Sequence, residues 1–505
     1  MTLAPTRRVA ASVGTAANPL ARAAVLTVAI TLSGSLLGLG RDLLLARFFG
    51  ATGATDAFLV AWTVPETAFP LVVEGALAFL LVPLFSRALA EAGTGPAVRD
   101  LVAATAPRIL AVLATASAMV AVAAPVLVHL IAPGLADPAL AVTCTRLTAV
   151  TVLTFGMAGY LSAALRAHHV FGVPATIHLA YNTGILALVW LLHGRFGIVS
   201  AAAGVALGSC FMVATQVPSF LRRVGWPRRV LRRASPVTVA AFAPIAAYTL
   251  TRQAQVFVER YVGSALPAGT ISHLNYAQKV AQMPMLVALL VCTVTFPTLA
   301  RSVAAGQAEK ARLRLESDLR TVTALILVAA AYLIAFAPTI VAVLLQHGRF
   351  DAHDTAATAT ILRVYALGLL GQALVGVLCR PFFTAERPGW YPALAMAVGL
   401  TVSTVCAVLG APAFGVTAVA AANVTGITVT ALLLLAGLRR QSVTVSLSAL
   451  GWATVRLAAA AAGAGAVGRF AGTALAGAPS IVVGAAGGLI VLATFAALGR
   501  LSRVW

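Results

Sequence analysis

Charge is the scarcest property of this 505-residue chain: Asp, Glu, Lys and Arg together make up 10% of it, and Lys279 and Lys310 are its only lysines. A soluble protein of that length needs a far more charged surface, so lipid must solvate most of this one. Short segments of alternating polarity are missing too, which excludes a β-barrel. Cys144, Cys210, Cys292, Cys379 and Cys406 form no CxxC pair. That argues against a zinc site or a disulfide framework and leaves each thiol as a small hydrophobe. No HExxH, GxSxG or Walker pattern occurs, and no soluble stretch is long enough to hold an active site. Neither an enzyme nor a cofactor is expected.

What is abundant is the apolar run. Hydrophobic residues form 60% of the chain, gathered in about 14 stretches long enough to cross a bilayer as helices. An all-α polytopic membrane protein follows, because a helix satisfies its own backbone in lipid. The net charge of +21 comes from Arg residues in short loops. Nucleic-acid binding needs a basic face on one soluble domain, so it is set aside. With the N-terminus in the cytoplasm, about two dozen basic residues fall on the inner side. Only Arg47, Arg195, Arg260, Arg349 and Arg469 fall outside. This bias puts both termini in the cytoplasm and makes the number of spans even. The tail carrying Arg7, Arg8 and Arg22 lacks a small-residue cleavage site, so the first apolar run reads as a retained helix.

A shift of about 214 residues brings several features into coincidence. ARFFGA (46–51) lies over ERYVGS (259–264), and Phe69-Pro70 over Met283-Pro284. Pro83 meets Pro297, Arg87 meets Arg301, and Arg166 meets Arg380. APVLVHLIAP (124–133) falls on APTIVAVLL (337–345). Such agreement at nearly one offset implies a duplicated six-helix unit. Both copies then share one orientation and face each other across a central cavity, a geometry suited to alternating access. The expected division is a tail at 1–22, an N-lobe at 23–221, a basic linker at 222–236, a C-lobe at 237–437, and a helix pair with a short tail at 438–505.

Ionisable groups inside apolar runs mark function by default, since burying one in hydrocarbon costs about 2.5–3.5 kcal/mol on insertion scales. Arg41, deep in the first run of GRDLLLARFFGATGATDAF (40–58), is a candidate cavity cation, with Asp42 beside it as a partner. Asp56 is expected either to cap the second helix or to serve as a coupling group. The stretch VPETAFPLVVEGA (64–76) adds Glu66 and Glu74 as coupling or gating candidates. Pro65 and Pro70 there are hinge candidates, because a proline inside a span frees carbonyls and bends the helix. In LNYAQKVAQMP (274–284), Lys279 approaches the same region from the other half, next to a third hinge candidate, Pro284. Arg252 is a further candidate cavity cation, with a tether within or between helices as the alternative. Arg146, Arg363 and Arg456 are expected to snorkel. His129, His178 and His273 read as core hydrogen-bonding residues.

The stretch GRDLLLARFFGATGATDAF, followed by VP, EGAL and LVPLFSRAL, resembles the MurJ/MviN family of the multidrug/oligosaccharidyl-lipid/polysaccharide exporter superfamily. The likeness continues through YAQKVAQMP, VLLQHGRFDAHDT and CRPFFTAERP, and so covers nearly the whole chain. It implies a 14-helix fold, two six-helix lobes with a C-terminal pair, and transport of a lipid-linked peptidoglycan precursor across the cytoplasmic membrane. By that resemblance Arg41 and Lys279 hold a diphosphate, while Asp56 and Glu74 occupy family positions. Membrane lipids and cell-wall synthesis proteins are the implied partners. The chain departs from the family pattern at Ser35 and at Phe69-Pro70, where Arg is usual, and at Glu66, where Asn is usual. The implied cavity is therefore less basic than in typical members. A drug or metabolite exporter of the same superfamily, which would prefer an acidic cavity, and a non-transporting scaffold are the alternatives.

Overall fold

The computed structural model describes residues 19–92, 96–225, 243–285, 307–383, 389–438, 446–475 and 477–501. Every regular element among them is helical. The N-lobe holds α1 (Pro19–Phe49), α2 (Gly53–Phe69), α3 (Ala76–Ala92), α4 (Pro96–Val122), α5 (Ala124–Ile131), α6 (Pro138–Thr148), α7 (Val150–Ala167), the single turn α8 (Gly172–Ala175), α9 (Ile177–Phe196) and α10 (Val199–Arg223). The C-lobe holds α11 (Ala243–Ser264), α12 (270–285), α13 (Ala308–Leu345), α14 (Ala352–Leu378), the turn α15 (Arg380–Phe383), α16 (Tyr391–Phe414) and α17 (Val416–Gly437). The pair α18 (Leu447–Ala474) and α19 (Ser480–Leu501) completes the chain. Most of the basic linker, Pro297, Arg301 and Arg387 lie outside the described residues.

Among the described residues, twelve stretches are long and apolar enough to cross a membrane. Of the other two expected spans, α11 carries too much charge to qualify, and the span that α12 begins runs beyond the described residues. Arg252, Glu259 and Arg260 sit on α11, and Lys279 sits on α12. The chain is a multi-pass membrane protein with the two lobes and C-terminal pair that the sequence implies.

The duplication is visible in the backbone. Ala123, with φ −76° and ψ 0°, separates α4 from α5 just before Pro125. Phe336, with φ −112° and ψ 17°, breaks α13 just before Pro338. Each lobe also closes on a tight helix pair. A Cβ on Gly184 of α9 would lie 2.4 Å from Gly208 Cα of α10, and one on Gly399 of α16 would lie 2.5 Å from Gly426 O of α17. Without a hydrophobic drive between helices in lipid, small residues that let backbones approach supply the packing. The C-terminal pair buttresses the α13 kink: Phe336 packs against Gly468, Gly472 and Gly487, and the Tyr332 hydroxyl donates to Gly484 O at 3.0 Å.

The span expected at 56–86 is a broken helix. Thr52 caps α2, accepting from Thr55 N. The helix runs to Phe69, opens into a π-helical segment over Pro70–Gly75, and resumes as α3. Of the two prolines expected to bend it, Pro65 is buried within regular α2 and Pro70 begins the irregular segment. The carbonyl that Pro65 leaves without its helical donor, Ala61 O, accepts from the Thr148 hydroxyl at 3.3 Å. The carbonyl that Pro70 deprives, Glu66 O, accepts instead from Gln253 Nε2 of the C-lobe at 3.1 Å.

Candidate functional site

A chamber of about 430 Å³ opens beside the break in the second span. The N-lobe contributes Glu66 and Pro70 to its wall, and α11, α12, α14, α16 and α17 of the C-lobe contribute the rest. Its lining is unusually rich in side-chain amides, among them Gln255, Gln278, Gln282 and Gln372. Its charged lining residues are Arg252, Lys279 and Glu66, one acid against two bases.

Glu66 ties the lobes together. Its Oε1 lies 3.2 Å from Lys279 Nζ and its Oε2 lies 3.8 Å from Arg260 Nη2. Arg260 also donates from Nη2 to Asn275 Oδ1 at 3.4 Å. Arg260, counted on the outer side, is not a loop residue: it lies within α11, only 2% of it is exposed, and it is among the largest fully buried side chains. Its neighbour Glu259 is also buried and accepts from Asn423 Nδ2. Sequence reasoning passed over both residues. The signal was there, because Arg252, Gln255 and Glu259 recur at helical spacing along one face of α11.

Arg41 does not line this chamber among the described residues. Its Nη2 lies 2.8 Å and its Nε 3.0 Å from Asp42 Oδ1, and its Nη1 donates to Asn182 Oδ1 at 3.1 Å. The guanidinium sits 4.2 Å from the ring centroid of Trp62, a cation–π geometry. Asn182 in turn donates to Gly34 O and His178 O. The expected Arg41–Asp42 pair is thus present, and it is braced within the N-lobe. Trp62 and Glu66 are one turn apart on one face of α2, which places Arg41 next to the chamber wall.

Asp56 works across the lobe boundary. Thr52 takes the capping position of α2, and the Asp56 carboxylate caps α12 instead. Its Oδ2 accepts from Gly269 N at 2.7 Å, and its Oδ1 accepts from Ser272 N at 2.7 Å and from the Ser272 hydroxyl at 2.6 Å. These are the N–H groups a helix start leaves without partners, and an anion there also suits the helix dipole. Around this clamp Ala51 N donates to Asp354 Oδ2 at 3.3 Å, Arg349 N to Arg47 O at 2.9 Å, and Gly134 N to Ser264 Oγ at 3.2 Å. Gly269 has φ +92°, and a Cβ on it would lie 2.4 Å from Ala51 O. The seam therefore requires glycine there on two counts. All these contacts lie at the end of the molecule that the charge bias assigns to the outside.

The remaining candidates are dispersed. Pro284 lies on α12 and lines a separate apolar cavity of about 380 Å³ with Val280, Met283, Tyr332, Ile340 and Ile481. Glu74 lies in the π-helical segment, and its side chain is outside the described residues. His273 bonds Thr358 Oγ1 at 3.0 Å and lies 3.6 Å from Asp354, a packed hydrogen-bonding histidine at the seam.

The family model described as lipid II flippase MurJ matches residues 45–484. The lipid II flippase MurJ of Burkholderia cenocepacia is 28% identical over 379 residues, covering 72% of this chain and 73% of that protein. The probable lipid II flippase MurJ of Bdellovibrio bacteriovorus is 26% identical over 442 residues, covering 85% and 84%. Among solved structures, a lipid II flippase MurJ in an inward closed conformation superposes with a TM-score of 0.76 at 20% identity, over 94% of this chain and 99% of that one. An inward-facing multidrug resistance transporter of the MATE family reaches 0.67 at 15% identity, over 85% and 99%.

Proposed function

This chain belongs to the MurJ family of lipid II flippases, and from that premise we propose that it moves a polyprenyl-diphosphate-linked cell-wall precursor from the inner to the outer leaflet of the bacterial cytoplasmic membrane. Both termini face the cytoplasm, and lobes at 23–221 and 237–437, joined by the linker at 222–236, rock about the chamber. The pair at 438–505 supports the C-lobe.

The observation that carries this reading is the two-sidedness of α12. Lys279 faces the polar chamber. Its neighbour Val280, with Met283 and Pro284, faces the apolar cavity shared with α13 and α19. A ligand that is anionic at one end and hydrocarbon at the other fits this arrangement. Lys279 and Arg252 would make charge-assisted hydrogen bonds to the diphosphate, the amide side chains would meet the sugar and peptide, and the polyprenyl chain would lie along the apolar side. Arg41 is the N-lobe cation that joins as the lobes rock.

The contacts of Asp56 hold the outer end shut while the head group enters from inside. Their release, with bending at the Pro70 segment and near Pro284 while Pro65 stays braced, would open the chamber outward. Glu74 and Asp56 remain the candidates for coupling to protons. Membrane potential would reset the empty carrier, since 100 mV supplies about 2.3 kcal/mol per charge moved.

Complementation of a strain depleted of its own lipid II flippase tests the reading. Growth of the depleted strain supports it. Failure to grow accompanied by a gain in drug resistance would replace it with efflux.

A further inference from the structure

Lys279 and Arg260 come from one lobe and Glu66 from the other, so one carboxylate faces two cations across the path that a substrate must use. The two pairs are unequal. The Lys279 and Glu66 side chains are 32% and 25% exposed, so a solute in the chamber can reach their pair. The Arg260 side chain is 2% exposed, and its Nε has no hydrogen-bond partner among the described residues. The backbone of Glu66 is meanwhile anchored, because Gln253 holds the carbonyl that Pro70 deprives of a donor.

We propose that Glu66 is an internal counter-ion that occupies Lys279 in the empty carrier, is displaced from it by an incoming polyanion, and passes to Arg260. This rests on the chamber being the substrate site. The hand-over answers an electrostatic difficulty. A carboxylate simply expelled from Lys279 would be left partly buried and unpaired, at a cost comparable to the gain from binding. With Arg260 on its far oxygen, the same carboxylate keeps a partner while Lys279 is freed. Glu66 then determines specificity by chemical class. A diphosphate carries more charge than one carboxylate and wins Lys279 from it. A neutral or cationic solute cannot, and it meets a chamber with its lysine already engaged. Glu66 also couples binding to movement, because the bond it surrenders joins the two lobes.

The test is titration of the purified full-length protein with inorganic diphosphate, read by calorimetry. The wild-type chain binds, and Lys279→Ala loses binding. Glu66→Gln, which keeps the shape and removes the competitor, binds about tenfold tighter. Glu66→Asp, whose carboxylate is drawn back by one methylene, gives a smaller gain and serves if Glu66→Gln does not fold. Binding by Glu66→Gln that is equal to or weaker than wild type overturns the counter-ion role while leaving the chamber intact. Equal binding by wild type and Lys279→Ala overturns the chamber reading itself. Absence of binding in every variant overturns both.

Discussion

Asp56 and Ser272, more than two hundred residues apart, are joined by two hydrogen bonds of 2.7 and 2.6 Å to a single carboxylate oxygen. One lobe thereby supplies the helix cap of the other. Under the proposed rocking of the lobes, the start of α12 would be capped only while they are shut at this end.

Asp56→Asn removes the charge and turns one acceptor into a donor facing an N–H. Hydrogen bonds to charged groups are worth about 1.5–3 kcal/mol, so a loss of about 2 kcal/mol shifts the open-to-closed ratio roughly 30-fold. A cysteine placed at Ala51, beside the seam, should react correspondingly faster with an impermeant maleimide added outside the cell. Unchanged labelling would remove Asp56 from the gate.

The brace around Arg41 allows its structural and functional roles to be separated. Arg41→Ala leaves Asp42 buried without its cation, which costs about 3–5 kcal/mol for a buried pair. A fall in the melting temperature of detergent-purified protein reports this. Arg41→Ala combined with Asp42→Ala recovers most of that stability. Flipping in proteoliposomes should stay lost in the double variant if the N-lobe cation serves the substrate. Restored flipping would reduce Arg41 to a tether.

Thr148 satisfies the carbonyl that Pro65 leaves open on Ala61. Thr148→Val keeps the shape and withdraws the hydroxyl, leaving a buried acceptor alone. The expected cost is about 1–3 kcal/mol of stability, with diphosphate affinity unchanged. A variant as stable as wild type would show that the kinked span needs no such support.

A tight helix approach in the N-lobe predicts a packing cost. A Cβ at Gly208 would lie 2.2 Å from Tyr181 O, and backbone cannot step aside as a side chain can. Gly208→Ala should therefore destabilise the protein by about 1–3 kcal/mol. Thermal denaturation in detergent checks this, and a neutral result would mean that α9 and α10 separate easily.

The sequence by itself determined the apolar helical spans, and it marked Lys279, Arg252 and Glu66 among the chamber's lining residues. A bilayer imposes a one-dimensional requirement of length and hydropathy, and that is legible residue by residue. Proline chemistry marked the break at Pro70, while the breaks before Pro125 and Pro338 were seen only in the structure, although their cause is equally local. Lys279, Arg252 and Glu66 could be named because an ionisable group in an apolar run must face protein or water. Only the tertiary structure decided which partner each group has. It put Arg41 on Asp42, Asn182 and Trp62, turned Asp56 from its own helix to another, and buried Arg260 against Glu66. Rotation of a helix about its axis is set by packing against its neighbours, so partners two hundred residues apart in sequence are fixed only when the lobes dock.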